Sequence, residues 1–404
     1  MKKILIITPR FPLPAAGACE QDRFEGIKQL KKLGFSVRVI AKVFDFQNKA
    51  AIFDFACESD IQINLLEYEA KKKRGFAKNF LFYFRKIINP FYWDGAAYEY
   101  SHKNTKKFTE KITDEWQPDI VWFDYTYLWP LYGIFQKRKI SVITRSINFE
   151  PIHFLQEDGY TILNLIKFLP KLMSEIITIR KSNAIFSITP KEEKIYKKLS
   201  AKNIANLPLR GLPRILKQKR DINGKGTLNV FFAGSTYSVF HNRKVLEFIL
   251  KKIAPAMEKK LPGKFIFHIL GRKFPPELTE YLNERVVYHN FVEDLDRFLE
   301  EMDVALVPSF LGAGMQQKIF EPLCRGIPTI TSERGLADYP FKDNEHLLFA
   351  RNLDNFVARL ANMRDLNLRK KLSENSLNFC RKLFSQEVLD AIILKSMRNL
   401  HVRD

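Results

Sequence analysis

The chain has 404 residues, of which 46% are hydrophobic and 27% are charged, a balance that is ordinary for a globular protein and argues against disorder. This length is enough for about two domains, each with its own core. The formal net charge of +21 predicts a negatively charged partner, such as nucleic acid, lipid headgroups or anionic substrates. No nucleic-acid-binding signature accompanies the charge, so we expect no nucleic-acid partner.

The N-terminus predicts a strand. Residues 3–9 are mostly apolar and end in Pro9 without a cleavage-type site, which argues against a signal peptide. No run in the chain approaches the ~18 to 20 apolar residues that span a bilayer. We therefore expect a cytoplasmic protein.

The first half of the chain alternates strands and helices. A helix at residues 21–33 and a strand at residues 36–43 follow the first strand, and this βαβ unit is typical of a doubly wound α/β domain. Further strands are predicted at residues 119–125, 141–147 and 184–189, with a helical stretch at residues 160–182. Residues 207–227 are rich in proline, glycine and charge, and there we place a domain boundary.

A basic and aromatic segment lies between these elements. Residues 71–86 interleave lysines and arginines with six aromatic or aliphatic side chains. Such a segment can lie in the headgroup plane of a membrane with its cations facing anionic lipid, which predicts peripheral membrane contact. A core helix with a solvated basic end is the alternative explanation.

The second half repeats the strand and helix alternation. We predict a strand at residues 228–235, a long helix at residues 242–260 and a strand at residues 264–273. The D-x-D sequence at Asp294 and Asp296 superficially suggests a metal site. Acids are favoured at a helix N-terminus, so we expect a helix start there and no metal site in the chain.

A glycine loop and a short helix follow an apolar strand in this half. Gly312 and Gly314 allow backbone amides to approach a ligand closely, and the helix predicted over residues 316–324 begins directly after them. Lys318 lies in its first turn, with Glu321 on the same side. A cation and a carboxylate at a helix start suit the phosphates and ribose of a sugar nucleotide, but a surface ion pair worth about 0.3 kcal/mol gives the same pattern.

This segment resembles the donor-binding motif of the retaining GT-B glycosyltransferases of family four, the glycosyl transferases group 1. That family has a glycine-rich loop, a helix with a ribose-binding Glu, then Gly-x-Pro and a strand. The matching residues here are Gly312, Gly314, Lys318, Glu321, Gly326 and Pro328. The subgroup sequence G-x-x-Q-N-K corresponds to GMQQK, which adds Met315 and Gln316 to the predicted donor site. Ala313 stands where the family has a second Glu near the transferred sugar.

The resemblance extends to other loops. Arg145, Asn148 and Glu150 match the subgroup's R-x-H-N-x-E element and are assigned to the acceptor side, although Ile147 replaces its histidine. The resemblance also implies donor contacts at four further residues, although Gly17 would look the same as a simple turn glycine. These four residues are Gly17, Gly234, Ser235 and Arg272. Arg243 and Lys244 resemble phosphate contacts, with helix-surface charges as the alternative explanation.

The resemblance implies a GT-B fold, in which two Rossmann-like domains face a cleft. Residues 1–206 would bind the acceptor, 207–227 would be the linker, 228–385 would bind the nucleotide sugar, and 386–404 would return as a helix to the first domain. The implied activity is retaining, metal-independent transfer of a hexose, from a UDP or GDP donor and without a cofactor, to a saccharide or lipid-linked saccharide acceptor. Lys318, Glu321 and Arg243 would carry the transfer.

The implied setting is cell-surface polysaccharide or lipopolysaccharide synthesis on the inner face of the cytoplasmic membrane. Two alternatives remain open. A catalytically inactive GT-B protein would explain the differences at Ala313 and Ile147. A GT-B epimerase would act on the nucleotide sugar itself.

Overall fold

The computed structural model describes residues 1–67, 80, 84, 88–89, 93–216, 220–224, 226–312, 314–398 and 400. The chain divides into two compact units, one formed by Met1–Gly211 with Leu389–Asp404 and the other by Leu212–Val388. Most of the predicted membrane segment 71–86, and also Ala313, lie outside the described residues. The domain roles given to the two halves stay predictions.

The first unit is built on a parallel sheet, in which seven strands are described. Their order is β3-β2-β1-β4-β5-β6-β7. The strands are β1 Lys3–Thr8, β2 Ser36–Val43, β3 Gln62–Glu67, β4 Ile120–Asp124, β5 Ser141–Arg145, β6 Ala184–Ser187 and β7 Ile204–Asn206. The described α-helices are Ala18–Lys32, Lys49–Glu58, Gly95–Tyr100, Lys103–Trp116, Tyr132–Gln136, Glu150–Asp158, Ile162–Lys181 and Pro190–Lys198.

The central strands of this sheet are buried on both faces. Ile4 and Ile6 contribute to the core on one face of β1, and Leu5 and Ile7 to the core on the other. This pattern is expected of a parallel sheet that is covered by helices on both sides. The C-terminal helix completes the first of these cores with Leu389 and its neighbours four and eight residues later, Ile393 and Met397.

The second unit is also built on a parallel sheet, in which six strands are described in the order β10-β9-β8-β11-β12-β13. The strands are β8 Leu228–Thr236, β9 Phe265–Arg272, β10 Val286–His289, β11 Val304–Val307, β12 Thr329–Thr331 and β13 Leu348–Phe349. The described α-helices are Leu212–Ile215, Phe240–Phe248, Ala254–Lys260, Leu295–Glu300, Gln317–Cys324, Leu353–Asn362 and Leu366–Phe384. The last helix, Gln386–Arg398, starts in this unit and belongs to the first unit from Leu389 onwards. The predicted class, α/β with two doubly wound parallel-sheet units, is confirmed.

The long helix predicted in the second unit begins two residues earlier than expected, at Phe240, and contains a π turn at Ile249–Ile253. Pro255 follows this turn and has no backbone N–H, so the regular hydrogen-bond ladder is interrupted there.

The D-x-D sequence forms a helix start, as predicted. The Asp294 side chain accepts a hydrogen bond of 3.0 Å from the backbone N–H of Arg297, which caps the helix Leu295–Glu300. The described residues contain no group of three or more His, Cys, Asp or Glu side chains placed to hold a metal ion. None of the described helices combines the length and apolar content that crossing a bilayer requires.

Candidate functional site

The glycine loop after β11 has the conformation that its sequence suggests. Gly312 (φ +100) and Gly314 (φ +68) lie in the left-handed region that glycine tolerates best. The Ser309 hydroxyl donates a hydrogen bond of 2.9 Å to the Gln316 side chain, which holds the loop against the start of the helix Gln317–Cys324. The first backbone N–H groups of a helix attract anions, so this helix start has the chemistry of a phosphate site.

Lys318 lies in the first turn of this helix, and its side chain is half-buried. Its ammonium donates a hydrogen bond of 2.8 Å to Asn242 Oδ1 and lies 5.7 Å from the ring centroid of Phe232. Burial lowers the pKa of Lys318 to about 8. A ligand phosphate would stabilise the charged ammonium, so this lysine is suited to bind an anion.

Asn242 is a functional candidate that the sequence analysis missed. Its buried side chain donates hydrogen bonds to the carbonyl of Thr236 (3.2 Å) and the hydroxyl of Ser235 (3.5 Å), while its oxygen accepts from Lys318. One amide therefore connects the end of β8 to the helix after β11. The signal was an asparagine at the predicted start of a helix, where a polar side chain usually has a local partner.

Glu321 has partners different from those of Lys318. Its carboxylate accepts from Gln317 Nε2 at 3.2 Å and forms an ion pair with Arg325 at 2.9 Å, and Arg325 also pairs with Asp296 at 2.7 Å. The alternative explanation, a surface ion pair of Lys318 with Glu321, therefore does not describe the contacts of these side chains. A carboxylate offers about four acceptor positions, so Glu321 keeps capacity for a ribose hydroxyl.

The ends of β8 and β9 pack tightly against each other near the helix Gln317–Cys324. Gly271 has φ +140, and a Cβ atom there would lie 2.0 Å from the carbonyl oxygen of Gly234. The Tyr237 hydroxyl donates a hydrogen bond to the Leu270 carbonyl at 2.6 Å, and the backbone N–H of Tyr237 donates to the Arg272 carbonyl at 2.9 Å. Gly234 therefore lies at a tightly packed strand end, whereas the side chain of Arg272 is exposed.

Arg243 forms ion pairs on the protein surface. Its guanidinium contacts Glu277 and, at 3.3 Å, Glu247, which also accepts from Lys244 at 2.9 Å. These contacts favour the alternative of helix-surface charges. The catalytic role of Arg243 stays a prediction.

Arg145 requires a correction. The side chain is 0% exposed and forms an ion pair of 3.0 Å with Asp22, which is also 0% exposed. It donates further hydrogen bonds to the carbonyls of Ser187, Leu207 and Pro208. Because its donors are used inside the first unit, Arg145 is a structural residue and does not line an acceptor surface.

Asn148 lies in the turn after β5, Glu150 begins the helix that follows this turn, and both are half-buried. Two buried carboxyls hold the backbone of this turn: Glu192 accepts from the N–H of Phe149 at 3.0 Å, and Glu175 accepts from the N–H of Glu150 at 3.2 Å. Burial raises the pKa of Glu175 to about 8 and that of Glu192 to about 7. The position of the family histidine, Ile147, is buried, so this side chain points into the protein.

Gly17 precedes the helix Ala18–Lys32 and has an ordinary extended backbone, with φ −115. A Cβ atom there would lie 2.6 Å from Glu20 Oε2, the end of a flexible side chain that pairs with Arg10 and Arg23. Its conformation does not require glycine. A ligand contact at Gly17 stays a prediction.

A family comparison covers the part of the chain that contains this site. Residues 227–365 match the family model of the glycosyl transferases group 1. No curated protein sequence matches the chain.

Solved structures resemble the chain over its length. A glycosyltransferase from Rickettsia africae is 14% identical, with coverage of 100% of this chain and 99% of that chain and a TM-score of 0.64. HepE from Anabaena, in complex with UDP and glucose, is 11% identical, with coverage of 98% and 100% and a TM-score of 0.65. Sucrose-phosphate synthase from Thermosynechococcus elongatus is 14% identical, with coverage of 100% of both chains and a TM-score of 0.67.

At such identities the structural likeness shows the fold alone, whereas the family match covers the helix that carries Lys318 and Glu321. Residues 227–365 therefore match the glycosyl transferases group 1 model, in a chain that has the GT-B fold.

Proposed function

We propose that this chain transfers a hexose from a nucleotide-sugar donor to a hydroxyl group of a saccharide or lipid-linked saccharide. The transfer retains the configuration of the anomeric carbon and needs no divalent cation. The family match over residues 227–365 supports glycosyl transfer, and the structure of HepE with UDP and glucose supports a UDP-linked donor. UDP and GDP are the two nucleotides that we favour.

The proposal depends mainly on one observation. The half-buried ammonium of Lys318 is held by Asn242 at the start of a helix that follows a left-handed glycine loop. A diphosphate at this place would meet the ammonium and the helix N–H groups. As the bond from the anomeric carbon to the phosphate breaks, negative charge grows on the leaving diphosphate, and this fixed positive environment stabilises it.

Glu321 defines the nucleoside end of the proposed donor site. It lies three residues after Lys318, and the acceptor capacity that remains on its carboxylate suits a ribose hydroxyl. The contacts of Arg325 and Gln317 hold the carboxylate in one place. Asn148 and Glu150 are the acceptor-side residues that we retain, because they are half-buried and lie where two buried carboxyls hold the backbone between β5 and the next helix.

The proposed setting is cell-surface polysaccharide or glycoconjugate synthesis, including lipopolysaccharide, at the inner face of the cytoplasmic membrane. The net charge of +21 supports contact with anionic lipid or with phosphate-linked acceptors.

The first test is a thermal-shift screen of the full chain against UDP-, GDP-, ADP- and CMP-sugars. A ligand that binds the native state raises the unfolding temperature, and we expect the largest shift with a UDP- or GDP-sugar. Lys318→Gln should remove that shift. Lys252→Gln, at an exposed lysine on the helical stretch after Phe240, should leave it unchanged. Equal shifts for both variants would argue against the site.

The second test measures turnover of the bound donor with and without a chelator. Hydrolysis or transfer that continues in the chelator supports metal-independent transfer, and loss of activity contradicts it. Donor binding without turnover would favour the inactive protein. A change in the donor sugar without any acceptor would favour the epimerase.

A further inference from the structure

The helix Ile162–Lys181 has an unusual distribution of polar and apolar side chains. In its first two turns, five aliphatic side chains are 51–81% exposed: Ile162, Leu163, Leu165, Ile166 and Leu169. Tyr160, just before the helix, is 69% exposed. The side of the helix that packs against the rest of the first unit instead has buried polar side chains, among them Asn164, Ser174, Glu175 and Thr178.

The buried polar side chains fix the orientation of this helix. Glu175 accepts from Thr126 at 2.8 Å and from Tyr196 at 2.6 Å, and Trp129 donates to Ser174 at 3.0 Å. Rotation of the helix to bury its aliphatic side chains would break these hydrogen bonds and leave buried polar groups unsatisfied. These hydrogen bonds therefore keep the apolar face of the helix pointing outward.

The second half of the same helix behaves as a normal core helix. Leu172 and Ile179 pack against the cluster of Phe149, Ile185 and Tyr196. The exposed apolar face is thus limited to residues 160–169, about 12 Å of helix at 1.5 Å per residue. A stable protein interface uses about 20 to 30 residues on each side, so six apolar side chains are too few to form one alone.

The charges on this element indicate what covers the face. The charged residues of 160–181 are Lys167, Lys171, Arg180, Lys181 and Glu175. Glu175, the single acid among them, is fully buried, whereas Lys167 lies among the exposed aliphatic residues. A lysine can extend along an apolar surface and place its ammonium at the level of the headgroups. Glu157 and Asp158 come shortly before Tyr160, and Lys171 pairs with the buried Asp94 at 3.7 Å, so the charged residue of the face itself is Lys167. A short apolar face that carries a lysine, in a chain with a formal net charge of +21, is complementary to a bilayer with anionic headgroups.

We propose that the face formed by Tyr160, Ile162, Leu163, Leu165, Ile166 and Leu169 inserts into the interface of an anionic lipid bilayer. This surface differs from the basic and aromatic segment 71–86. It also does not depend on the donor site, because it lies on a different compact unit from Lys318 and Glu321.

Vesicle sedimentation of the full chain tests the proposal, with phosphatidylcholine vesicles with and without phosphatidylglycerol. We expect binding to the anionic vesicles that weakens as salt screens the charges. The triple variant Ile162→Ser/Leu163→Ser/Ile166→Ser should bind about tenfold more weakly, because three aliphatic side chains no longer enter the acyl region. The double variant Phe46→Ser/Phe291→Ser, at side chains that are 67% and 78% exposed, is the control and should bind as the native chain does.

Three outcomes would overturn the proposal. The native chain does not bind anionic vesicles; or the triple variant binds as tightly as the native chain, which would place the contact elsewhere; or the chain dimerises through this face in analytical ultracentrifugation and does not bind vesicles. Thermal unfolding and UDP titration of the triple variant should match the native chain, which separates loss of lipid binding from misfolding and from failure of the proposed donor site.

Discussion

The proposed contact of Lys318 with the donor phosphates predicts that donor binding depends on pH. Burial lowers its pKa to about 8, whereas a bound diphosphate favours the charged ammonium and raises that pKa again. Binding therefore takes up a proton above about pH 8, and we expect the affinity for UDP to fall as the pH rises from 7 towards 10. Calorimetry in buffers with different ionisation enthalpies measures both quantities. Lys318→Arg should flatten the profile, because a guanidinium stays charged.

The same pKa has a consequence for stability without ligand. The pKa of Lys318 is lower in the folded protein than the ordinary value of 10.5, so the charged lysine destabilises the folded state below about pH 8, where it is charged in both the folded and the unfolded chain. This destabilisation disappears as the pH rises from about 8 to 10.5, because the folded protein loses the proton first. Lys318→Met should remove this part of the pH dependence. A pH-independent affinity of the native chain for UDP would contradict the assignment of Lys318 to the phosphate site.

Glu321 should matter for both binding and stability. Glu321→Ala is expected to weaken UDP binding by about 1 to 3 kcal/mol, the range for a charged hydrogen bond that is lost. The structure adds a destabilisation that the sequence does not predict, because Arg325 then loses one of the two acidic partners with which it pairs in the described part of the chain, and Asp296 remains. Calorimetry and thermal unfolding, with the exposed Glu280→Ala as control, measure the two effects. Unchanged affinity would remove Glu321 from the site.

At the scale of elements, the contact between the ends of β8 and β9 fixes the end of β8, which carries Gly234 and Ser235. Gly271→Ala would place a Cβ atom 2.0 Å from the carbonyl of Gly234, at a φ of +140. We expect a loss of about 1 to 3 kcal/mol in the free energy of unfolding, together with weaker UDP binding, because the strand ends must separate. Gly226→Ala, where a new Cβ meets no atom within 4 Å, is the control. Equal effects of the two substitutions in urea unfolding would contradict this explanation.

The helices and strands themselves were largely predictable. Periodicity located β2 to the residue, and it placed the helix with Lys318 in its first turn to within one residue. These elements are local, since a buried parallel strand needs a short apolar run and a helix needs a cap and an apolar stripe. The outward face of Ile162–Lys181 was not predictable, because aliphatic residues in a helix usually indicate a core position.

At the scale of the whole molecule, the first unit depends on a buried charge network. Asp22 pairs with Arg145 at 3.0 Å and with Arg210 at 2.9 Å. These arginines lie 123 and 188 positions after Asp22 in the sequence. The two guanidiniums hold the pKa of Asp22 well below its ordinary value. Asp22→Asn would leave two buried cations without this carboxylate, and we expect a loss of about 3 to 5 kcal/mol in urea unfolding.

A surface ion pair supplies the control for this prediction. Asp60→Asn removes an exposed carboxylate that pairs with Lys31 at 2.6 Å, and we expect little change in stability because solvent screens such a pair. If Asp22→Asn were as mild as Asp60→Asn, the structural role assigned to Arg145 would be wrong.

The sequence by itself determined the succession of strands and helices, the parallel α/β class and the helix start with Lys318 and Glu321, because each depends on neighbouring residues. Only the tertiary structure decided the partners. Lys318 bonds to Asn242, 76 positions away, and Arg145 is enclosed by Asp22 and distant carbonyls. Burial and charge pairing are set by residues that the fold brings together from far along the chain. A short motif therefore located the candidate site, while the contacts across the chain determined which of its charged residues remain available to a ligand.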